Sequence, residues 1–225
     1  MGFIKGLAGV QEELAKRPQG GDFADRPKAR YINIKDGESA KLVFLQEIDE
    51  GSPNYNEKNG TTVFVLMHKN PDNFKKSAKC TADEGECYGC SRGWRQSVML
   101  FANVLVDDGN EAPYVAIFNR GLGKGCVAQA LLDMAADEDF DNSISDKTFK
   151  MTRTGTGTNT TYSLSPMPKP HTLAVESYEL FDLEQYVFTV KPDNQEAYYT
   201  DGQPAEKAEA SSAAPASAAS VDQDW

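Results

Sequence analysis

The chain has 225 residues, 40% of them hydrophobic, and 34 acids against 23 lysines and arginines give it a net charge of −11. That length can bury one sizeable core, or one core with a small satellite, and no apolar run is long enough to span a membrane, so no membrane partner is expected. The acidity argues against a chain-wide field for nucleic acid, but more than half of it lies in residues 193–225, where Asp193, Glu196, Asp201, Glu206, Glu209, Asp222 and Asp224 stand against Lys207 alone; a local cationic stripe elsewhere remains compatible with it.

Residues 1–21 read as an N-terminal amphipathic arm. Phe3, Leu7, Val10 and Leu14 recur at helical spacing over 3–16, and Pro18-Gln-Gly-Gly21 ends the pattern. Gln11, Glu12 and Glu13 interrupt any secretory pattern, and Gly6 stands where a myristoylation signal needs Ser or Thr, so a cytoplasmic location is expected.

From Lys28 the period changes to two. Ala29–Ile34 and Ala40–Leu45 flank Asp36-Gly37 as a hairpin signal, and Thr61–Met67 is a third strand ending at His68. Ser97–Val106 and Ala112–Phe118 flank a turn at Asp107–Gly109. A helix is expected over 125–136, with Val127, Leu131, Leu132 and Ala135 as its buried stripe and Cys126 as a buried thiol. Two more strands follow at 147–153 and 160–164, then a weaker helical pattern over 176–187. This order predicts a mainly β chain: a small Greek-key barrel of the OB-fold type over 22–196, with a metal subdomain inserted at about 68–96. A β-sandwich is the alternative. Residues 197–225 lack core-forming side chains over Ala205–Ser220 and are expected to be a disordered acidic tail. Its tip, Asp222, Asp224 and Trp225, reads as a tethered anchor for a partner's apolar pocket with a basic rim.

His68, Cys80 and Cys87-Tyr-Gly-Cys90 carry the sharpest chemistry. Cys-x-x-Cys lets one tight turn present two thiolates, and one imidazole with three thiolates makes a closed tetrahedral zinc site that folds the chain and leaves no position for a reactive water. A redox pair is the competing reading of the Cys-x-x-Cys, but the stretch has no βαβ context. Zinc deaminases need His-x-Glu and Pro-Cys-x-x-Cys; here Lys69 and Asn70 follow His68, and Glu86 precedes Cys87. Gly121-Leu-Gly-Lys-Gly125 lacks the phosphate-loop spacing. The chain is therefore not expected to be an enzyme.

Basic and aromatic residues interleave instead: Lys75, Lys79, Arg92, Trp94, Arg95, Tyr114, Phe118, Arg120, Lys124, Lys150, Arg153 and Tyr162. Cations for phosphates and rings for unstacked bases suit a single strand. Trp94, between Arg92 and Arg95, is expected on the surface. The runner-up is a zinc-stabilised scaffold that binds protein only.

On Ile34–Leu45, on His68…Cys80…Cys87-x-x-Cys90 and on Arg153–Tyr162, the chain resembles the zinc-containing single-stranded-DNA-binding proteins of T-even-type bacteriophages over roughly 28–165. The resemblance implies an OB-fold with a structural Zn²⁺ on His68, Cys80, Cys87 and Cys90. It implies a cleft for single-stranded DNA and self-association along the strand. It also implies a role in DNA replication, recombination and repair, with an acidic tail that contacts replication proteins such as a polymerase or helicase. If phage-encoded, the chain would act in the bacterial host's cytoplasm. Its acid-plus-aromatic tip resembles the tails of bacterial and smaller-phage single-strand-binding proteins.

Overall fold

A computed structural model describes residues 30–110 and 112–201. The N-terminal arm, most of the tail and its tip at Asp222, Asp224 and Trp225 lie outside the described residues. The strands are β1 (Ser39–Phe44), β2 (Val63–Asn70), β3 (Asn73–Lys79), β4 (Gln96–Asp107), β5 (Tyr114–Gly121), β6 (Thr148–Thr154) and β7 (Thr161–Pro166). The helices are α1 (Tyr88–Ser91), α2 (Val127–Ala135) and α3 (Pro192–Thr200). The seven strands form one sheet in the order β3-β2-β4-β1-β6-β7, with β5 also on β4, and the registered pairs are antiparallel. The chain divides into a larger unit, residues 30–66 with Ser97–Tyr186, and a smaller one, Met67–Gln96 with residues 187–201.

The core of the larger unit follows from strand alternation. Leu42 and Phe44 of β1, Leu100, Ala102, Val104 and Val106 of β4, Ala116 and Phe118 of β5, and Phe149 and Met151 of β6 all point to one side. Val127, Ala128 and Leu131 of α2 close over them. Phe44 sits at the centre, edge-on to Phe118 at 5.3 Å and to Phe149 at 5.5 Å between ring centroids.

The opposite face of β4 is covered as well. Val43, Leu45 and Leu105 pack with Val175, Tyr178 and Leu180. The segment that supplies this cover was expected to be helical; it is an irregular strap with short 3₁₀ turns at Val175–Ser177 and Leu183–Tyr186. Buried Asn103 fastens it: its Nδ2 donates to the Phe181 carbonyl at 3.0 Å, and its Oδ1 accepts from the Phe181 N–H at 2.9 Å. These bonds replace the helical ladder as partners for buried backbone.

The expected hairpin around Asp36-Gly37 is a turn without a hairpin. Gly37 has φ +77°, as the turn requires, but β1 pairs with β4 on one edge and β6 on the other. No edge is left for residues 30–34. They run beside β5 instead, where Ile117 N–H donates to the Arg30 carbonyl at 2.8 Å. Cys126, expected inside the helix, is its N-cap and is only half buried. The expected boundary of the tail at residue 197 falls inside α3, which continues to Thr200.

The Phe44 ring cluster should dominate the stability of the larger unit. Phe44→Ala removes both edge-on contacts and leaves a cavity, for an expected loss of about 3–5 kcal/mol in urea unfolding. Lys150→Ala on the exposed side of β6 should change stability by less than about 0.5 kcal/mol. Equal effects would contradict this placement of the core.

Candidate metal centre

Three elements of the smaller unit bring the four ligands together. His68 lies within β2, one residue short of the hairpin bulge, paired with Ala78 of β3. Cys80 follows the end of β3, and Cys87 and Cys90 open and occupy the short α1. The hairpin β2–β3, missing from the sequence reading as a paired unit, fixes the distance from His68 to Cys80.

The ligand atoms of His68, Cys80, Cys87 and Cys90 lie within 4.8 Å of one another. Cys80 Sγ is 3.8 Å from Cys87 Sγ and 3.6 Å from Cys90 Sγ, and His68 Nε2 is 3.3 Å from Cys90 Sγ. A regular tetrahedron with metal–sulfur bonds of about 2.3 Å has edges of about 3.8 Å. The spacing therefore fits a metal ion at the centre, and the donor set of one imidazole and three thiolates is consistent with zinc. All four cysteines of the chain are free of disulfides.

Local chemistry prepares the ligands. Burial holds His68 below the usual imidazole range, with the Arg95 backbone working the other way; the ring is neutral near pH 7, as a ligand must be. Burial opposes the Cys87 thiolate, yet hydrogen bonds from the backbone at Cys90 and Thr81 and from the neighbouring thiols outweigh it and lower its pKa. Burial pushes Cys90 up to about 11, reinforced by Cys80 and Cys87. Packed thiolates repel one another, and a dication at the centre reverses that penalty.

Three further residues complete the surroundings. Gln96 Nε2 donates to Cys80 Sγ at 3.3 Å and reaches Cys90 Sγ at 3.7 Å, spreading the thiolate charge. Gly89 lies against the imidazole: a Cβ there would stand 2.7 Å from Cδ2 and 2.8 Å from Cβ of His68. The glycine of Cys-Tyr-Gly-Cys is thus a packing requirement. Gln195 of α3, 1% exposed, is the third. Its Oε1 accepts from Tyr88 N–H at 2.8 Å beside Cys87, and its Nε2 donates to Thr81 Oγ1 at 2.8 Å beside Cys80. Tyr199 Oη donates to the His68 carbonyl at 3.3 Å, and burial keeps that phenol protonated. The signal for α3 was present in Lys191-Pro192-Asp193: proline at the first helical position and an acid in the first turn.

The nucleic-acid candidates separate by environment. On the smaller unit, Lys75, Arg92 and Arg95 are exposed, whereas Lys79 is tied to Glu84 at 2.8 Å. Trp94, expected on the surface, is half buried in an aromatic cluster, edge-on to Tyr88 at 5.6 Å and to Tyr199 at 4.9 Å; its ring is a structural wall behind the metal loop. On the larger unit, Lys124 and Lys150 are exposed. Phe118 is fully buried in the core and cannot stack on a base. Arg120 is 5% exposed, with its guanidinium 4.6 Å over the Tyr162 ring, so it holds that ring in place and is closed to phosphate. Arg153 donates to the Ile34 carbonyl at 2.9 Å. Tyr114 is half buried, with the Arg30 guanidinium 3.2 Å from its ring centroid. Alternation in β5 turns Tyr114, Phe118 and Arg120 all toward the core side, whatever their chemistry, and buries Phe118 and Arg120 there.

No family model, curated protein or solved structure matches this chain. Among the described residues, no helix is long and apolar enough to cross a membrane.

The site should bind one divalent ion per chain, with affinity falling as pH falls because protons compete for the thiolates. Gly89→Ala should weaken that binding by at least tenfold, read by competition with a chromogenic chelator, since the new methyl group collides with the His68 ring. Wild-type metal affinity in Gly89→Ala would contradict the tetrahedral arrangement.

Proposed function

We propose that this chain is a zinc-stabilised protein that binds and coats single-stranded DNA in replication, recombination and repair. The observation that carries the reading is the pairing of a closed four-ligand cluster with exposed Lys75, Arg92 and Arg95 on the same unit. Four protein ligands leave no position for a reactive water, so the metal's work is to hold backbone. The cations it holds stand out in a chain whose net charge is −11. A local cationic surface on an acidic protein selects polyanions by contact and by salt-dependent counterion release.

The sequence motifs resembling the T-even single-strand-binding family support the same reading. In it, the antiparallel sheet is a Greek-key barrel of the OB type, and the ion is zinc. Asp222, Asp224 and Trp225 dock on a replication protein such as a polymerase or helicase. Phe118 and Arg120 drop out of the DNA-contact set, and Trp94 serves it from behind. Lys75, Arg92, Arg95, Lys124 and Lys150 remain as phosphate contacts.

A titration of labelled oligo(dT) and of a duplex of equal length tests this. The single strand should bind more tightly, and its affinity should fall with salt with a log–log slope of about 0.7 per neutralised phosphate. Arg92→Ala with Arg95→Ala should lower that slope by roughly 1.4. Equal affinity for both nucleic acids would overturn the reading, and no DNA binding by metal-loaded protein would leave the protein-only scaffold.

A further inference from the structure

The β2–β3 hairpin carries a feature that metal binding does not explain. Pairing runs Met67↔Lys79, His68↔Ala78 and Lys69↔Ser77, then jumps to Asn70↔Asn73. Phe74, Lys75 and Lys76 therefore face no partner on β2 and form a bulge on β3, which stands at the end of the sheet order. Bulges re-aim side chains and twist an edge away from further pairing.

The bulge is anchored on one side only. Lys76 Nζ donates to the Tyr198 carbonyl at 2.6 Å and pairs with Asp201, and Ser77 N–H donates to Tyr198 Oη at 3.1 Å. The tip is held by Asn70, whose Nδ2 donates to the Tyr199 carbonyl at 2.9 Å and whose Oδ1 accepts from Asp72 N–H at 2.8 Å. Between these fixed points Phe74 is turned outward. At 55% exposure it is the most exposed large apolar side chain among the described residues. Lys75 beside it is exposed, Lys69 is half exposed, and neither forms an ion pair among the described residues.

We propose that this bulge is a contact point for single-stranded nucleic acid, with the Phe74 ring stacked on an unpaired base and Lys75 and Lys69 on the flanking phosphates. The proposal rests on the reading of the preceding subsection and adds a residue to it. An outward ring on an anchored backbone loses little conformational freedom on stacking, and base–aromatic stacking tolerates any sequence. The flanking ammonium groups select a polyanion over an apolar peptide. A duplex, whose bases already stack on each other, offers the ring no free face.

The test uses the full-length, metal-loaded chain, with metal content and thermal unfolding checked for every variant. Phe74→Ala should weaken oligo(dT) binding by about 5- to 100-fold while leaving the salt slope unchanged, because Phe74 neutralises no phosphate. Phe74→Leu keeps apolar area but no aromatic face and should stay weak; Phe74→Trp should restore binding and add emission that oligo(dT) quenches. Lys75→Ala should lower the slope by about 0.7. If wild-type protein shows no preference for single strands, the functional reading fails and the bulge proposal with it. If wild-type protein binds and folded Phe74→Leu binds equally well, the stacking role alone is overturned.

Discussion

Four ligand atoms converging within 4.8 Å are the constraint on which the smaller unit depends. Three sulfurs and an imidazole nitrogen at this spacing repel one another as thiolates and pack poorly as thiols; a dication turns the same geometry into a favourable one. Three local features of the unit serve that convergence. Gly89 is small so that the imidazole can lie against it, Gln96 donates toward two sulfurs, and Gln195 pins the backbone next to Cys80 and Cys87. The aromatic wall of Tyr88, Trp94 and Tyr199 then packs behind the loop, with Val190 and Ala78.

The larger unit uses a different strategy. Its sheet is buried on both faces of β4, by the Phe44-centred core on one side and by the strap through Val175, Tyr178 and Leu180 on the other. Polar groups inside it are satisfied locally. Glu47, 2% exposed, accepts from Ser143 Oγ at 2.6 Å and from the N–H groups of Ile144 and Ser145 at 3.1 and 2.9 Å. A carboxylate so fully hydrogen-bonded organises the loop before β6.

Strong local signals were legible in the sequence. The alternation of Ser97–Val106 gives β4, the stripe of Val127 and Leu131 gives α2, and the spacing of His68, Cys80, Cys87 and Cys90 gives the cluster. Features set by competition between segments were not. Residues 30–34 alternate well, yet both edges of β1 are taken. Segment 176–187 has a weak helical period, yet it is bound by Asn103 to β4. The face a strand residue takes also escaped: Phe118 and Arg120 have the right chemistry for nucleic acid, but register turns them inward. Phe74, in contrast, alternates in no obvious pattern, and only the bulge puts it outside.

The central claim is that the metal folds the smaller unit as a whole, including a helix far along the chain from the ligands. Amide hydrogen exchange, followed by mass spectrometry with and without a chelator, measures it directly. The account predicts that removing the metal lowers protection together over residues 80–96 and over α3, because Gln195 and Tyr199 lose the backbone they bond. Protection in β1, β4 and β6 should remain, since their core lies in the larger unit. Unchanged protection of α3 after complete metal removal would contradict the account.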